Sequence, residues 1–390
     1  MQKNEKGKQV PLLHVVVTAR PSWARVKTIV LEYFKKNGKT KLVVVLIGPA
    51  ISNRYGDLRS EIPVEIPLIT FGTLLDSDEL SEISLSCIEG SRNLINYWRN
   101  QRPDCVLVVA DRTETLGVSV AASLMQIPLI HLQGGEISGS IDDKIRDVNS
   151  KLADLHLTTN NLTKQNLEKL GENPRIIFPI GCPSIDLVEF ALKHQESFLK
   201  KQASALGGVG SDFSLVQDYG LIMFHPDTLN IDDSLVWVQA IINMINTSKL
   251  NWIWFWPNPD HGTSIISKTI RKEREFGNLQ NVHFVINLSP EIFINAASKS
   301  LVLIGNSSFG IRESSYLGLR VLNLGNRQQN RQRGENVVDV KSPQNLIQSL
   351  HEILERKFEP SSIYGDGNAA NRAVEIISNW SPVIKSRKPI

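Results

Sequence analysis

The chain has 390 residues, of which 41% are hydrophobic and 21% charged, a composition typical of a soluble globular protein. At about 150 residues per domain, this length predicts two domains. The net charge is only +3, which is too balanced for a protein that coats nucleic acid or anionic lipid. Cys87, Cys105 and Cys182 lie far apart and form no CxxC motif, which argues against a disulfide framework and against a cysteine-based zinc site.

No segment of the sequence indicates export or membrane insertion. The first ten residues, MQKNEKGKQV, are polar and lack the apolar core of a signal peptide. The longest apolar runs, such as residues 12–17 and 106–110, are far shorter than the ~18 residues that cross a bilayer. We therefore expect a cytoplasmic protein with no nucleic-acid partner and no membrane partner.

Short β-branched runs alternate with helical stretches, which predicts parallel sheets with crossover helices. The strand runs are apolar along their whole length, as in sheets that are covered on both faces. In the first half the predicted strands are 12–18, 41–47, 104–110, 127–132, 154–158 and 175–179, and the predicted helices are 22–37, 78–100, 113–126, 141–153 and 161–171. In the second half the predicted strands are 221–225, 252–256, 282–286, 301–305 and 321–325, and the predicted helices are 232–248, 263–275, 289–299, 309–317 and 343–356.

The segment SALGGVGSDFS (204–214) is the best candidate for a linker loop, because it is rich in Gly and Ser and follows a helix predicted at about 184–203. It divides the chain into an N-terminal domain, 1–203, and a C-terminal domain, 215–367. The predicted fold class is α/β, with two doubly wound Rossmann-like domains that face each other across a cleft. The carboxyl ends of both sets of strands would line that cleft, which suits a nucleotide-linked substrate.

Polar residues follow the predicted strands of the first half, where a doubly wound fold places its functional groups. Arg20 stands beside the start of a helix, which is a natural anion site, although it could instead pair with a surface carboxylate. Asp111 and Arg112 directly follow strand 104–110. Asp111 is a candidate catalytic group, and it could also cap the next helix.

The sequence HLQGGEISGSIDDKIRD (131–147) holds the densest group of polar residues. Gln133, Glu136, Asp142 and Asp143 surround a Gly-rich turn. Carboxylates in one cleft can divide acid and base duties; alternatively, the two aspartates merely complement a helix dipole. The histidines are scattered and no HExxH motif occurs, so we predict no metal site and no cofactor; a magnesium ion bridging to a diphosphate is compatible with the sequence but not indicated by it.

Two polar residues end strands of the second half. His225 ends strand 221–225 and precedes a proline, where it would face the cleft. Asn258 follows the Trp-rich strand 252–256. The tryptophans of that strand are predicted to belong to the core rather than to stack on a base.

The motif IGNSSFGIRES (304–314) predicts a phosphate site. Ser307 and Ser308 enter a predicted helix start, where backbone N–H groups and hydroxyls can cradle a phosphate. Glu313 could accept hydrogen bonds from ribose hydroxyls. Arg327 lies in a basic loop that suits a diphosphate, or that is simply a solvated charged turn.

Taken together, the motifs resemble the hydrolysing UDP-N-acetylglucosamine 2-epimerases, which make N-acetylmannosamine for sialic acid and related capsular sugars. The matching segments are DRTETLGVSVAASLMQIPLIHLQGGEISGSIDDKIRD, GCPSID, FHPDT, IGNSSFGIRES and LGNRQ, followed by RGEN. The resemblance implies the GT-B fold of two Rossmann-like domains, with residues 368–390 crossing back to the first domain. It also implies a nucleotide-sugar substrate and a homodimer or homotetramer.

The resemblance implies that UDP leaves from C1 while a carboxylate removes the C2 proton, which gives a glycal-type intermediate. Water then adds to C1 and a proton returns to C2 on the other face, which releases N-acetylmannosamine and UDP. Asp111 and Asp142 match the carboxylates of the family that move protons. Residues that match its substrate contacts, or that could stabilise the leaving diphosphate, are Arg20, Arg112, His225, Asn258, Arg271, Ser307, Ser308, Glu313 and Arg327.

The sequence departs from the family most clearly at Gln133, where the best-characterised members carry a catalytic Glu. An amide cannot take a proton at neutral pH, so either Glu136 or a bound water covers that step, or the substrate or outcome differs. Alternatives are a related 2-epimerase on a modified or GDP-linked amino sugar, a GT-B glycosyltransferase, and a nucleotide-sugar sensor in which Gln133 has disabled the chemistry. The carboxylate cluster favours an epimerase, since elimination needs more than one group that handles protons.

Overall fold

The computed structural model describes residues 9–52, 57–72, 79–139, 141–193, 202–257 and 260–382. They fall into two compact units. The first comprises Met1–Glu136, Asp142–Asp186 and Gly365–Ile390, and the second comprises Ile137–Ile141 and Leu187–Tyr364.

Strands and helices alternate along the described chain. The strands are β1 (Leu13–Val17), β2 (Leu42–Ile47), β3 (Leu68–Phe71), β4 (Cys105–Val109), β5 (Leu129–Leu132), β6 (Leu155–Thr158), β7 (Ile177–Pro179), β8 (Val209–Gly210), β9 (Tyr219–Met223), β10 (Asn251–Phe255), β11 (Val282–Val285), β12 (Val302–Gly305), β13 (Val321–Leu324) and β14 (Val337–Val340). The helices are α1 (Arg20–Asn37), α2 (Leu80–Trp98), α3 (Thr113–Leu124), α4 (Asp142–Leu152), α5 (Asn161–Lys169), α6 (Pro183–Leu192), α7 (Ile231–Thr247), α8 (Thr263–Glu275), α9 (Pro290–Lys299), α10 (Glu313–Leu317), α11 (Leu346–Leu354) and α12 (Ala369–Asn379).

Each unit contains one seven-stranded sheet. The first has the order β3-β2-β1-β4-β5-β6-β7, and all of its described pairings are parallel. The second has the order β14-β13-β12-β9-β10-β11-β8, and it is parallel except where β8 pairs with β11. The predicted α/β class with two doubly wound Rossmann-like sheets is therefore confirmed.

Buried apolar residues cover both faces of the first sheet, which explains why its strands are apolar along their whole length. Val15 and Val17 of β1 face a core shared with α1 and α12. Val16, between them, faces a second core formed with α2 and α3. Because alternate side chains of a strand point to opposite faces, the single strand β1 contributes side chains to both cores.

The C-terminal helix α12 is part of the first unit. Ala373, Val374 and Ile377 lie in the same core as α1. The carboxylate of Asp186 accepts hydrogen bonds from the N–H groups of Ala369 (3.0 Å) and Ala370 (2.6 Å). These N–H groups begin the helix and have no partner within it, so Asp186 fixes where α12 starts.

Three strands were not predicted from the sequence, namely β3, β8 and β14. The prediction of a linker loop at 204–214 is wrong, because Ala203–Leu206 form a 3-10 turn and β8 pairs antiparallel with β11. A Cβ at Gly208 would lie 2.0 Å from the carbonyl oxygen of Phe284. The glycines therefore permit a close approach of two strands.

The predicted helix 184–203 is shorter in the structure, where α6 ends at Leu192. Residues 194–201 lie outside the described residues. None of the helices in the described part of the chain is both long and apolar enough to span a bilayer.

Candidate active site

Two residues with unusual backbone geometry follow adjacent strands of the first sheet. Ala110 comes after β4 with φ 54°, and Gln133 comes after β5 with φ 65°. Non-glycine residues seldom adopt this left-handed conformation, and those that do concentrate at functional sites. Ala110 and Gln133 therefore mark the carboxyl edge of β4 and β5 as the candidate site of the first unit.

The carboxylate of Asp111 is held by two arginines. Arg146 of α4 contacts Oδ2 of Asp111, and Nη1 of Arg25 lies 3.8 Å from Oδ1. Arg112, not Asp111, occupies the cap position of α3. Asp111 is thus committed to the ion pairs rather than to capping the helix.

The buried guanidinium of Arg146 gathers three acidic residues. Besides Asp111, it contacts the carboxylate of Asp143 and donates to the backbone carbonyl of Glu136 at 2.7 Å. Burial lowers the pKa of Arg146, but the negative charges of Asp111, Glu136 and Asp143 outweigh that effect and raise it. The guanidinium therefore stays charged, and its charge offsets those of the carboxylates around it. Asp142, which begins α4, stands next to Asp143.

Gln133 lies in a buried polar contact with the GCPS motif. Its Nε2 donates to Sγ of Cys182 at 3.0 Å, and Sγ lies 2.9 Å from Oγ of Ser184. Within the described residues, Oε1 of Gln133 is buried and has no hydrogen-bond partner. An unsatisfied buried acceptor is costly, so this oxygen is suited to a donor supplied from outside the chain.

Arg20 and Arg112, both predicted to contact substrate, have carboxylate partners in the structure. Arg20 contacts Glu61, which is the pairing that the sequence left open as an alternative. Nε of Arg112 lies 3.4 Å from Glu114, a residue that is almost fully buried. These two arginines of the first unit are therefore already paired with acidic side chains.

In the second unit, His225 and Asn306 follow the neighbouring strands β9 and β12. The N–H of His225 donates to Oδ1 of Asn306, and Nδ2 of Asn306 donates back to the carbonyl of His225, both at 2.8 Å. Nε2 of Gln328 donates to the carbonyl of Asn306 at 2.9 Å, and Arg331 donates to Oε1 of Gln328 at 2.6 Å. This chain of amides fixes the backbone that carries His225.

The predicted phosphate cradle has a different local structure from the one expected. The helix predicted at 309–317 consists of a 3-10 turn, Ser308–Gly310, and the five-residue α10. The hydroxyl of Ser307 accepts from the N–H of Phe309 at 3.3 Å, and that of Ser308 accepts from Arg312 at 3.0 Å. Since α10 has only five residues, no long helix directs its dipole toward these serines. The phosphate-binding role of the two hydroxyls stays a prediction.

Three other predicted residues, Glu313, Arg327 and Arg271, take no part in the hydrogen bonds of Asn306 described above. Oε2 of Glu313 is buried and makes no hydrogen bond to the described residues. Arg327 donates to Asp260 at 3.1 Å. The guanidinium of Arg271 lies over the ring of Trp256, 5.5 Å from its centre. Asn258 lies outside the described residues.

Several residues of the site were not singled out from the sequence. They are Arg25, Arg146, Cys182, Asn306 and Gln328. For Arg146 a signal existed, since α4 carries polar residues at helical spacing where an apolar stripe would be expected. Among the described residues, no group of three or more His, Cys, Asp or Glu side chains could hold a metal ion.

Comparison with known sequences identifies relatives along most of the chain. Residues 32–378 match the family UDP-N-acetylglucosamine 2-epimerase. The chain is 29% identical over 353 residues to the UDP-N,N'-diacetylbacillosamine 2-epimerase (hydrolyzing) of Legionella pneumophila, which covers 89% of this chain and 90% of that protein. It is 30% identical over 302 residues to polysialic acid biosynthesis protein P7 of Escherichia coli, which covers 75% of this chain and 73% of that protein.

Solved structures show the same fold. The UDP-GlcNAc 2-epimerase from Neisseria meningitidis bound to UDP-GlcNAc has a TM-score of 0.75 at 20% identity, covering 94% of this chain and 99% of that chain. The UDP-GlcNAc 2-epimerase from Methanocaldococcus jannaschii, in complex with UDP-GlcNAc and UDP, has a TM-score of 0.74 at 16% identity over the same shares. The two Rossmann-like domains are therefore of the GT-B type predicted from the motifs. Since the family match spans most of its length, the chain belongs to the UDP-N-acetylglucosamine 2-epimerase family.

Proposed function

We propose that the protein is a hydrolysing 2-epimerase that converts UDP-N-acetylglucosamine and water to N-acetylmannosamine and UDP. The observation that carries the proposal is the Asp111 carboxylate, held by Arg146 and Arg25 at the carboxyl edge of the first sheet. General acid-base catalysis needs a proton-transferring side chain in a fixed position, and two guanidinium groups fix this carboxylate.

In the proposed reaction a carboxylate removes the proton at C2, the bond from C1 to the diphosphate breaks, and UDP departs. Water then forms a bond to C1, and a proton returns to C2 on the opposite face. We assign the proton transfers to Asp111 and Asp142, with Glu136 covering the step that Gln133 cannot perform. Preorganised positive charge and hydrogen-bond donors stabilise a departing anion, which is the role proposed for His225, Ser307, Ser308 and Arg327.

Gln133 fits this scheme as a binding group. Its amide neither gives up nor takes a proton, whereas its Oε1 can accept a hydrogen bond from a hydroxyl or an amide N–H. In the proposed complex this oxygen accepts from the bound sugar. Substrate binding would then satisfy an acceptor that is otherwise buried without a partner.

A second candidate is the same chemistry on a diacetamido sugar linked to UDP or GDP. The relative from Legionella pneumophila is named for such a substrate, and a relative from Campylobacter jejuni, 28% identical over 346 residues, is named a GDP/UDP-N,N'-diacetylbacillosamine 2-epimerase (hydrolyzing). A diacetamido sugar offers one more amide N–H than N-acetylglucosamine does, and Oε1 of Gln133 is suited to receive it.

The test is a proton NMR time course in deuterated water with UDP-N-acetylglucosamine and, in parallel, with the UDP-linked diacetamido sugar. We expect free N-acetylmannosamine with deuterium at C2, together with UDP. A UDP-linked N-acetylmannosamine product would instead indicate a non-hydrolysing enzyme. Turnover only of the diacetamido substrate would select the second candidate, and UDP release only with an added acceptor would indicate a glycosyltransferase.

A further inference from the structure

The buried side of helix α4 is polar. The residues of α4 that are buried are Arg146, Asn149 and Ser150. A helix that packs against a sheet normally buries an apolar stripe. The buried face of α4 therefore makes polar contacts to neighbouring residues instead of packing into a hydrophobic core.

Two side chains, His131 of β5 and Asn149 of α4, contact the backbone carbonyl of Ala110. Nε2 of His131 lies 2.9 Å from that oxygen, and Nδ2 of Asn149 donates to it at 3.2 Å. The other ring nitrogen of His131, Nδ1, lies 3.0 Å from Oγ of Ser150. Arg146, one turn before Asn149, contacts the carboxylate of Asp111.

The acceptor fixes the tautomer of His131. A carbonyl oxygen only accepts hydrogen bonds, so Nε2 carries the proton, and Nδ1 accepts from the hydroxyl of Ser150. Burial lowers the pKa of His131 to about 3, against the opposing effect of its bond to Ala110. The charged or titratable groups that also act on it are His156, Arg146 and Asp111. His131 is therefore neutral at any pH at which the protein would work, and it does not exchange protons with a substrate.

The carbonyl of Ala110 and the N–H of Asp111 belong to one planar peptide group. Two hydrogen bonds to that carbonyl fix the plane, and with it the direction in which Asp111 leaves the backbone. Ala110 is in the left-handed conformation, which costs free energy for an L-residue because its Cβ is crowded by the backbone. The hydrogen bonds from His131 and Asn149 offset this cost.

We propose that His131 is a positioning residue, which, together with Asn149 and Ser150, holds the peptide between Ala110 and Asp111 so that the Asp111 carboxylate is correctly oriented. This inference rests on the proposed function, since it assumes that Asp111 acts on a substrate. His131 itself touches no reacting atom.

Two substitutions of His131 separate positioning from general loss of structure. In His131→Gln, the amide nitrogen lies where Nε2 was and can still donate to Ala110. In His131→Asn, the amide nitrogen lies where Nδ1 was and cannot reach it. His156→Asn is the matched control, because His156 is equally buried and pairs with His131 across β5 and β6, but neither of its ring nitrogens makes a hydrogen bond to a described residue.

We expect His131→Asn to lower kcat by about a hundredfold with little change in KM, since a misplacement of 1 Å can cost that much. His131→Gln should keep most of the turnover, and His156→Asn should lose stability, measured by urea unfolding, without a comparable loss of kcat. Equal kcat values for the two His131 variants would overturn the proposal.

A readout that needs no turnover keeps the two proposals apart. In protein labelled with 13C-aspartate, the carboxyl resonance of Asp111 should shift in His131→Asn and stay in place in His131→Gln. If the wild-type protein does not turn over either sugar nucleotide, the proposed function fails, and this spectrum still decides whether His131 orients Asp111. An unshifted resonance in both variants would refute the positioning role whatever the activity.

Discussion

The carboxyl edges of the two sheets are built from different chemistry. In the first unit, the edge is ionic, with Asp111 held between Arg146 and Arg25. In the second unit, the backbone after β9 and β12 is held by neutral amides, with Asn306 bonded reciprocally to His225. The same doubly wound architecture thus holds its strand ends by ion pairs at one edge and mainly by amide hydrogen bonds at the other.

The ion pairs and the amide hydrogen bonds contribute differently to the stability of the protein. A buried ion pair gains little net stability, because both charges must leave water, whereas amide-to-backbone bonds rigidify at small cost. The proposed proton transfers give a reason for keeping charges in the first unit. The amide network of the second unit holds the backbone of His225, as the proposed binding of the leaving group requires.

The largest expected effect follows from removing the central charge of the first edge. In Arg146→Gln, the Asp111 carboxylate loses its buried partner, and we expect a loss of about 3–5 kcal/mol in the free energy of unfolding. Arg146→Lys keeps the charge but not the planar fork, so its loss should be intermediate. Urea unfolding of the three proteins tests this order, and a Gln variant as stable as wild type would show that the ion pairs are dispensable.

The next prediction concerns turnover. Asp111→Asn and Asp142→Asn should each lower kcat by about a hundredfold or more, the usual scale for a lost acid-base group. His225→Ala should mainly raise KM, because its proposed role is to bind the leaving group. Steady-state kinetics checks both, and normal rates in both aspartate variants would remove the first edge from the reaction.

The substitution Asn306→Ala removes the side-chain amide that holds the backbone of His225 in the second unit. The variant leaves the N–H and carbonyl of His225 without their partners, which costs about 1–3 kcal/mol, and UDP affinity should fall accordingly. Asn295→Ala is the control, since Asn295 is another buried amide of the second unit that lies on α9. Calorimetric titration with UDP would contradict the prediction if both variants bound equally well.

Acid should weaken the first unit more than the second. Burial lowers the pKa of His14 to about 4 and that of His131 to about 3, from 6.5 in the unfolded chain, and both residues lie in the first unit. Below pH 6.5 the unfolded state binds more protons, so the free energy of unfolding falls by about 1.4 kcal/mol per pH unit for each histidine.

Hydrogen exchange at pH 7 and pH 5 can follow β4–β6 and β9–β12 separately. We expect protection to fall more in the first group after correction for intrinsic rates. His14→Asn should reduce the pH dependence by about half, because one of the two depressed groups is gone. A pH dependence that is unchanged by this substitution would contradict the assignment.

The smallest expected effect is that of Ala110→Gly. Glycine adopts the left-handed conformation without strain but makes the unfolded chain more flexible, so the free energy of unfolding should change by less than about 1 kcal/mol. Turnover should nevertheless fall several-fold, because the peptide before Asp111 gains freedom. Measuring both the free energy of unfolding and kcat of this variant separates an effect on the orientation of Asp111 from an effect on stability.

Much of this architecture was predictable from the sequence, because parallel strands that are covered on both faces are apolar along their whole length. Two of the three unpredicted strands, β8 and β14, lack that signal, whereas β3, with the sequence LITF, carries it. β8 has only two residues, and β14 includes the polar Asp339. Pairing with a neighbour, not the local sequence, makes these segments strands.

At the candidate site, the sequence indicated which strand ends matter but not which side chains meet there. Asp111 was singled out because it follows β4, whereas Arg146 and Arg25 come from two different helices. Nothing in the local sequence indicates that Ala110 and Gln133 are left-handed, since both residue types normally avoid that conformation. Both are held by residues distant in sequence: Asn149 of α4 donates to the carbonyl of Ala110, and Gln133 donates to Cys182.

The position of α12 has a consequence for how the chain folds during synthesis. Its side chains complete the core of the first unit, yet the ribosome makes them only after all of Leu187–Tyr364. Domains usually fold in the order in which they emerge. Here the second unit can finish first, while the first waits for residues that follow the second unit. Deletion of α12 would therefore leave the newly made first unit without the side chains that complete its core.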